Sequence, residues 1–137
     1  MRIDGGSVLV GGRLERTDVF IDGPVIAGVG AGTAVPGPAI DATGLLVLPG
    51  LVDIHGDAFE RQLMPRPGVA FPIDMALRDT DRQLVANGIT TAYHGVTWSW
   101  EPGLRGPVSA RALVASIAAL RSQLAADTRI HLRHEIF

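Results

Sequence analysis

The spacing of apolar and polar residues changes at Pro49. Ahead of it, short runs of β-forming residues at 7–10, 18–21, 25–29 and 45–48 are separated by Gly-Gly, Asp-Gly and Pro-Gly pairs, the punctuation of strands joined by tight turns. Asp22-Gly23, between Val19-Phe20-Ile21 and Val25-Ile26, predicts a hairpin, because a primed turn needs positive φ at its centre and glycine adopts it at little cost. Residues 1–48 are therefore expected to form a small antiparallel β-layer. The uncharged stretch 23–40 is broken repeatedly by Gly and Pro, so it reads as turns and not as a membrane helix, which needs about 20 apolar residues.

Beyond Pro49 strand and helix patterns alternate. Residues 51–55 form a short β-run; Asp74 is placed to cap a helix carrying Leu77, Asp81, Leu84 and Val85, and Asn87-Gly88 ends it. Residues 89–96 are again β-rich, and a loop over 97–107 carries Trp98 and Trp100. In the next helix, about 109–126, Leu113, Ile117, Leu120 and Leu124 make one apolar stripe at a 3.6-residue period. A last strand is expected over 130–136. Strands joined by helical crossovers imply a parallel sheet, open or closed into a barrel. The expected division is a β-layer at 1–48 and an α/β domain at 49–137.

Composition narrows the chemistry. The 137 residues contain no Cys, which excludes disulfides, thiolate ligands and thiol nucleophiles. All the basic residues are Arg, so the chain has no lysine for a Schiff base, a P-loop or a carbamylated metal ligand. A net charge of -2 creates no field for nucleic acid or an anionic membrane, and neither is an expected partner. The first residues lack the apolar core of a signal peptide, so the expected location is the cytoplasm. Gly28-Val29-Gly30-Ala31-Gly32 is set aside as a dinucleotide loop, because no helix pattern follows and the glycine spacing fails.

The strongest chemical constellation is Asp53-Ile54-His55-Gly56-Asp57. With a period of two, Asp53, His55 and Asp57 share one face of the strand and Val52 and Ile54 the other. The carboxyl end of a parallel strand is where α/β folds hold ligands, and imidazole with carboxylate suits Zn, Mn or Fe. The structural alternative is that the two aspartates cap backbone amides and His55 is an ordinary polar residue.

The string from Ile40-Asp41-Ala42-Thr43-Gly44 through Val47-Leu48-Pro49-Gly50-Leu51-Val52-Asp53-Ile54-His55 resembles the lead-in to the catalytic barrel of the amidohydrolase superfamily. His55-x-Asp57, where most of that superfamily has His-x-His, together with Glu60-Arg61, Pro65-Arg66-Pro67-Gly68-Val69 and Asn87-Gly88-Ile89-Thr90-Thr91, is similar to its diphosphatase branch of phosphonate utilisation. The resemblance implies a β-sandwich layer of the urease-like composite type, followed by the first three strand-helix units of a truncated TIM-type (β/α)8 barrel. It implies His55 and Asp57 as ligands of one or two divalent ions, Zn ahead of Mn or Fe, and Glu135 as a further, bridging ligand. Arg133 and His131 share the face of Glu135 by strand alternation, while His134 faces away; an ion pair of Glu135 with Arg133 or Arg129 is the alternative.

Arg66 is a candidate for binding substrate phosphate, since a guanidinium fork matches its oxygens; Arg61 is left open between that role and a solvated ion pair. His94 either faces the metal centre or packs in the core. Trp98 and Trp100 are expected in packing or a subunit contact. The activity implied is metal-assisted hydrolysis of a phosphorylated small molecule, with diphosphate leaving.

A complete (β/α)8 barrel takes about 250 residues. The histidines of strands five and six and the strand-eight aspartate that carries protons in the superfamily are not among these residues, so no catalytic proton carrier is assigned. The expectation is a fragment inactive alone, whose open sheet edges are covered by an oligomer or a partner chain. A C–N bond amidohydrolase of deacetylase or deaminase type, and a non-catalytic assembly module, are the alternatives.

Overall fold

The computed structural model describes residues 1–30 and 35–135. The chain divides into two compact units, Met1–Pro49 and Gly50–Phe137.

The first unit contains β1 (Arg2–Val10), β2 (Arg13–Asp22), β3 (Val25–Val29), β4 (Ala39–Asp41) and β5 (Leu46–Val47). These make one sheet in the order β3-β2-β1-β4, with β5 also on β1. The hairpin predicted at Asp22-Gly23 is present: Asp22 pairs with Val25, leaving Gly23-Pro24 as a two-residue turn. Gly23 has φ 54°, the positive first centre of a type II′ turn, and Pro24 suits the negative φ of the second.

The layer departs from expectation in two ways. It is mixed, because β4 and β5 run parallel to β1 and occupy successive stretches of one edge. It is also a single sheet among the described residues, where a sandwich was expected. Val8, Val19, Phe20 and Ala42 are its buried apolar residues. Close approach of β1 and β5 depends on Gly6, since a Cβ there would lie 2.5 Å from Val47 Cγ2 and 3.1 Å from Ala42 Cβ. Of the glycine-rich stretch, Gly28 and Val29 end β3 and Gly30 turns with φ 92°; Ala31 and Gly32 lie outside the described residues.

The second unit is α/β. Its strands β6 (Leu51–Gly56), β7 (Ile89–Trp98) and β8 (Asp127–His134) form a parallel sheet in the order β6-β7-β8. The helices are α1 (Phe59–Leu63), α2 (Ile73–Ala86) and α3 (Pro107–Leu120), with 3₁₀ turns at Gly103–Arg105 and Arg121–Gln123. No helix among the described residues is long and apolar enough to cross a membrane.

Helix α2 starts at Ile73 with Asp74 in its first turn, not as its cap; Pro72 precedes it, and extended backbone ahead of a helix suits proline. It ends where Asn87-Gly88 predicts, with Gly88 at φ 75° and the Asn87 and Gly88 N–H groups returning to carbonyls of the last turn. Helix α3 begins with Pro107, whose missing N–H costs nothing at a first helical position. It stops at Leu120, short of the predicted 126, but Leu124 still packs on the core. The predicted strand 130–136 begins earlier, at Asp127; Ile136 lies outside the described residues.

One cluster joins the helices to β7: Phe59 and Leu63 of α1, Ala76 and Leu77 of α2, Val96 of β7, and Leu113, Ile117 and Leu120 of α3. Phe59 and Leu63, four apart, bury one face of α1. Asp81 of α2 is 8% exposed, and its carboxylate accepts the N–H groups of Ala125 at 3.0 Å and Ala126 at 2.8 Å, tying α2 to the start of β8.

Val52 and Ile54, placed by alternation on the face of the strand opposite His55, are 57% and 72% exposed. Strand β6 is a sheet edge, and α1–α3 build their core on the neighbouring β7.

Candidate functional site

The carboxyl end of the parallel sheet is shaped by an irregularity in β6. Asp53 pairs with Ala92 and Gly56 with His94, so three steps along β6 match two along β7. An extra residue of this kind shifts the strand's alternation by one. The Asp53 carboxylate folds back on its own strand: Oδ1 accepts the His55 N–H at 3.0 Å, and Oδ2 occupies space only 2.6 Å from where a Gly56 Cβ would stand. This is an Asx turn, and the absence of a side chain at Gly56 leaves room for the carboxylate. The single face proposed for Asp53, His55 and Asp57 is therefore broken. Asp53 ends on the side of Gly56 and His94, and His55 on the side of Gly95, His131 and Arg133.

His55 extends over β7 at Gly95 and meets a residue from the far strand. A Cβ on Gly95 would touch the His55 imidazole at 3.5 Å and Arg133 Cδ at 3.6 Å, so the missing side chain leaves the gap in which β6 and β8 communicate. His55 Nδ1 lies 3.2 Å from His131 Nδ1, with ring centroids 4.6 Å apart and planes at 88°. His131 Nδ1 is also 3.1 Å from the Ile54 carbonyl oxygen. Strand alternation put His131 on the correct face; only the β6-β7-β8 order reveals His55 as its neighbour.

The other predicted residues are dispersed. Asp57 is exposed just beyond β6, its carbonyl accepting the Glu60 N–H at 3.0 Å where α1 begins. Glu135 follows β8; its N–H donates to the Trp98 carbonyl, and its carboxylate lies 3.8 Å from the Arg133 guanidinium, the ion pair weighed above as its alternative role. Among the described residues, no three His, Asp or Glu side chains are grouped closely enough to hold an ion together.

Arg66 is exposed at the start of the Pro67-Gly68 turn, with the Val69 N–H donating to its carbonyl at 3.1 Å and Gly68 at φ 78°. Arg61 lines a groove of about 840 Å³ with Phe71, Met75, Arg78 and Arg82. The two arginines thus belong to different local features.

His94 belongs to the core side. It is 3% exposed and edge-on to Phe59 at 5.0 Å, and its Nδ1 is buried without a hydrogen-bond partner. Burial lowers its pKa, against a smaller opposing pull from Asp53. Of the two readings of this histidine, packing is the one observed. Trp98 stacks under Arg111, whose guanidinium carbon is 4.7 Å from the ring centre. At the opposite end of the His131 face, Arg129 donates to Tyr93 Oη at 2.9 Å and pairs with Asp127. Hydrogen bonds from Arg129 and Arg121 hold the Asp127 carboxyl below the usual range.

No protein-family model matches the chain. Over 58 residues, 42% of its length, it is 40% identical to the alpha-D-ribose 1-methylphosphonate 5-triphosphate diphosphatase of Escherichia coli (strain K12), and the match covers 15% of that protein. Over 93 residues, 65% of its length, it is 38% identical to the dihydroorotase of Citrifermentans bemidjiense, covering 20% of that enzyme. Among solved structures it superimposes on a D-hydantoinase with a TM-score of 0.70 at 21% identity, over 99% of this chain and 28% of the other. The chain thus spans a small part of the length of the proteins it matches. By these likenesses, with a β-layer followed by parallel strands, the chain is similar to the N-terminal part of enzymes of the amidohydrolase superfamily.

Proposed function

We propose that this chain forms the metal-binding N-terminal portion of a hydrolase acting on a phosphorylated sugar, with β6, β7 and β8 as the first three strands of a (β/α)8 barrel. The observation that carries the reading is the His55-x-Asp57 string at the carboxyl end of β6, in a chain 40% identical over 58 residues to a ribose-triphosphate diphosphatase. The donor chemistry fits a divalent ion: His55 is exposed on the sheet's polar face and Asp57 follows it on the exposed turn into α1. His55 and Asp57 would hold such an ion, Zn ahead of Mn or Fe, and Glu135 would join them if released from Arg133. The ion would supply Lewis-acid activation of water and of the phosphoryl group.

The chain's own residues do the rest. Gly56 lets the Asp53 carboxylate brace the His55 backbone, fixing the direction from which the imidazole leaves the strand. Arg66, on a turn stiffened by Pro65 and Pro67, is available to pair with phosphate oxygens, and Arg61 is a second candidate. Two open strand edges, β6 and β8, make turnover dependent on further strands that continue the sheet.

A second reading is hydrolysis of a cyclic amide C–N bond, favoured by the similarity to dihydroorotase and D-hydantoinase. One experiment separates the two. The chain, alone and joined to the remaining barrel of the Escherichia coli diphosphatase, is given a ribose 5-triphosphate ester, dihydroorotate and hydantoin. Diphosphate release by the joined protein, abolished by His55→Ala, is expected; ring opening would establish the second reading. No turnover of any substrate by the joined, folded protein would overturn both.

A further inference from the structure

We propose that Arg133 is the residue that holds a phosphate of the substrate beside His55, and that Glu135 is the internal carboxylate this phosphate displaces. The inference deepens the phosphoryl reading above and rests on it for the class of substrate. It adds a specificity-determining residue from β8, and its test needs no turnover.

Three observations carry it. The first is placement. His131 pairs in register with Gly95 and Arg133 with Thr97, and alternation along β8 sets Arg129, His131 and Arg133 on one face. A Cβ on Gly95 would stand 3.6 Å from Arg133 Cδ and 3.5 Å from the Cε1 and Nε2 atoms of His55. The Arg133 stem and the His55 imidazole therefore flank the same gap.

The second is availability. Of the two β8 arginines on this face, Arg129 is already held, donating to Tyr93 Oη at 2.9 Å and pairing with Asp127 at 2.7 Å. Among the described residues Arg133 has Glu135 as its ion-pair partner, at 3.8 Å and so beyond hydrogen-bond reach, with side chains 39% and 37% exposed. An exposed pair at that distance contributes little to stability, and its carboxylate is readily exchanged for another anion.

The third is chemistry. A guanidinium presents parallel N–H donors that match two oxygens of one phosphate. A terminal phosphate also carries more negative charge than the carboxylate it replaces. The exchange therefore turns a long, solvated ion pair into a bidentate contact, and it frees Glu135.

The test is calorimetric titration of the full chain with inorganic triphosphate at low ionic strength, alongside variants checked for native circular dichroism. Arg133→Gln should weaken binding by at least about tenfold, the scale of one lost hydrogen bond to a charged group. Arg66→Gln and Arg61→Gln should each weaken it less. Glu135→Gln removes the competing carboxylate and should tighten binding. Glu101→Gln makes the same charge change and likewise frees an arginine, Arg105, from an ion pair, but should not tighten it. Unchanged affinity in folded Arg133→Gln overturns the inference, as does a parent chain that binds no triphosphate. Should Arg133→Gln fail to fold, Glu135→Gln decides: unchanged or weaker binding, or a gain equalled by Glu101→Gln, overturns the exchange. The hydrolase reading is decided separately by the joined-protein assay, because release of diphosphate there does not depend on which arginine this titration identifies.

Discussion

Burial of the His94 imidazole, 3% exposed against Phe59, disfavours its charged form and lowers its pKa from 6.5, against a smaller opposing pull from Asp53. The unfolded chain binds that proton more readily than the folded one, so stability is fully present above about pH 6.5 and declines as pH falls below it. Urea unfolding at pH 7.5 and 5.5 (chosen as about one unit either side of that value) should show the loss, and His94→Phe should flatten it. The buried Asp81 side chain accepts two backbone N–H groups. Asp81→Ala strands those N–H groups and should cost ~2–4 kcal/mol in the same measurement. The sequence made His55 and Asp57 conspicuous through their spacing, and strand alternation put His131 on the right face. It could not show Asp53 leaving that face, because a one-residue bulge depends on pairing with β7, outside the local pattern.

The elements owe their positions to a few contacts between strands and helices. Leu77 of α2 is 2% exposed in the cluster that also contains Val96, Leu113 and Ile117. Leu77→Ala should destabilise the second unit by ~2–5 kcal/mol, read by thermal or urea unfolding. In the first unit Gly6→Val would drive a side chain into Val47 and Ala42 and separate β5 from β1. A loss of ~1–3 kcal/mol is expected from such overpacking, measured by amide exchange on β1. Helix α3 was legible because its leucine stripe has one period, and the Gly23 hairpin because its turn has one backbone solution. Helix α1 was not, because five residues are too short to declare a period; it is stable only where Phe59 and Leu63 find the core. The parallel pairing of β4 and β5 was also hidden, since short segments with turns on either side suit either direction.

At the scale of the whole molecule, the second unit presents more apolar surface than a finished sheet would. Leu51, Val52 and Ile54 are 57–72% exposed on an edge strand, and such an edge pairs readily with another chain. Sedimentation should show concentration-dependent self-association, and Ile54→Lys should reduce it without lowering the unfolding free energy by more than about 0.5 kcal/mol. The sequence by itself determined the change of texture at Pro49, the parallel strand-helix order that follows, the exclusion of thiol and lysine chemistry, and the His-x-Asp string, because period, turn residues and composition are local properties. Tertiary structure alone decided that His94 is core, that Arg61 and Arg66 belong to separate features, and that Glu135 lies beside Arg133. It also brought His55 and His131 together over Gly95. Residues 76 positions apart meet only when β7 stands between their strands and contributes a position with no side chain.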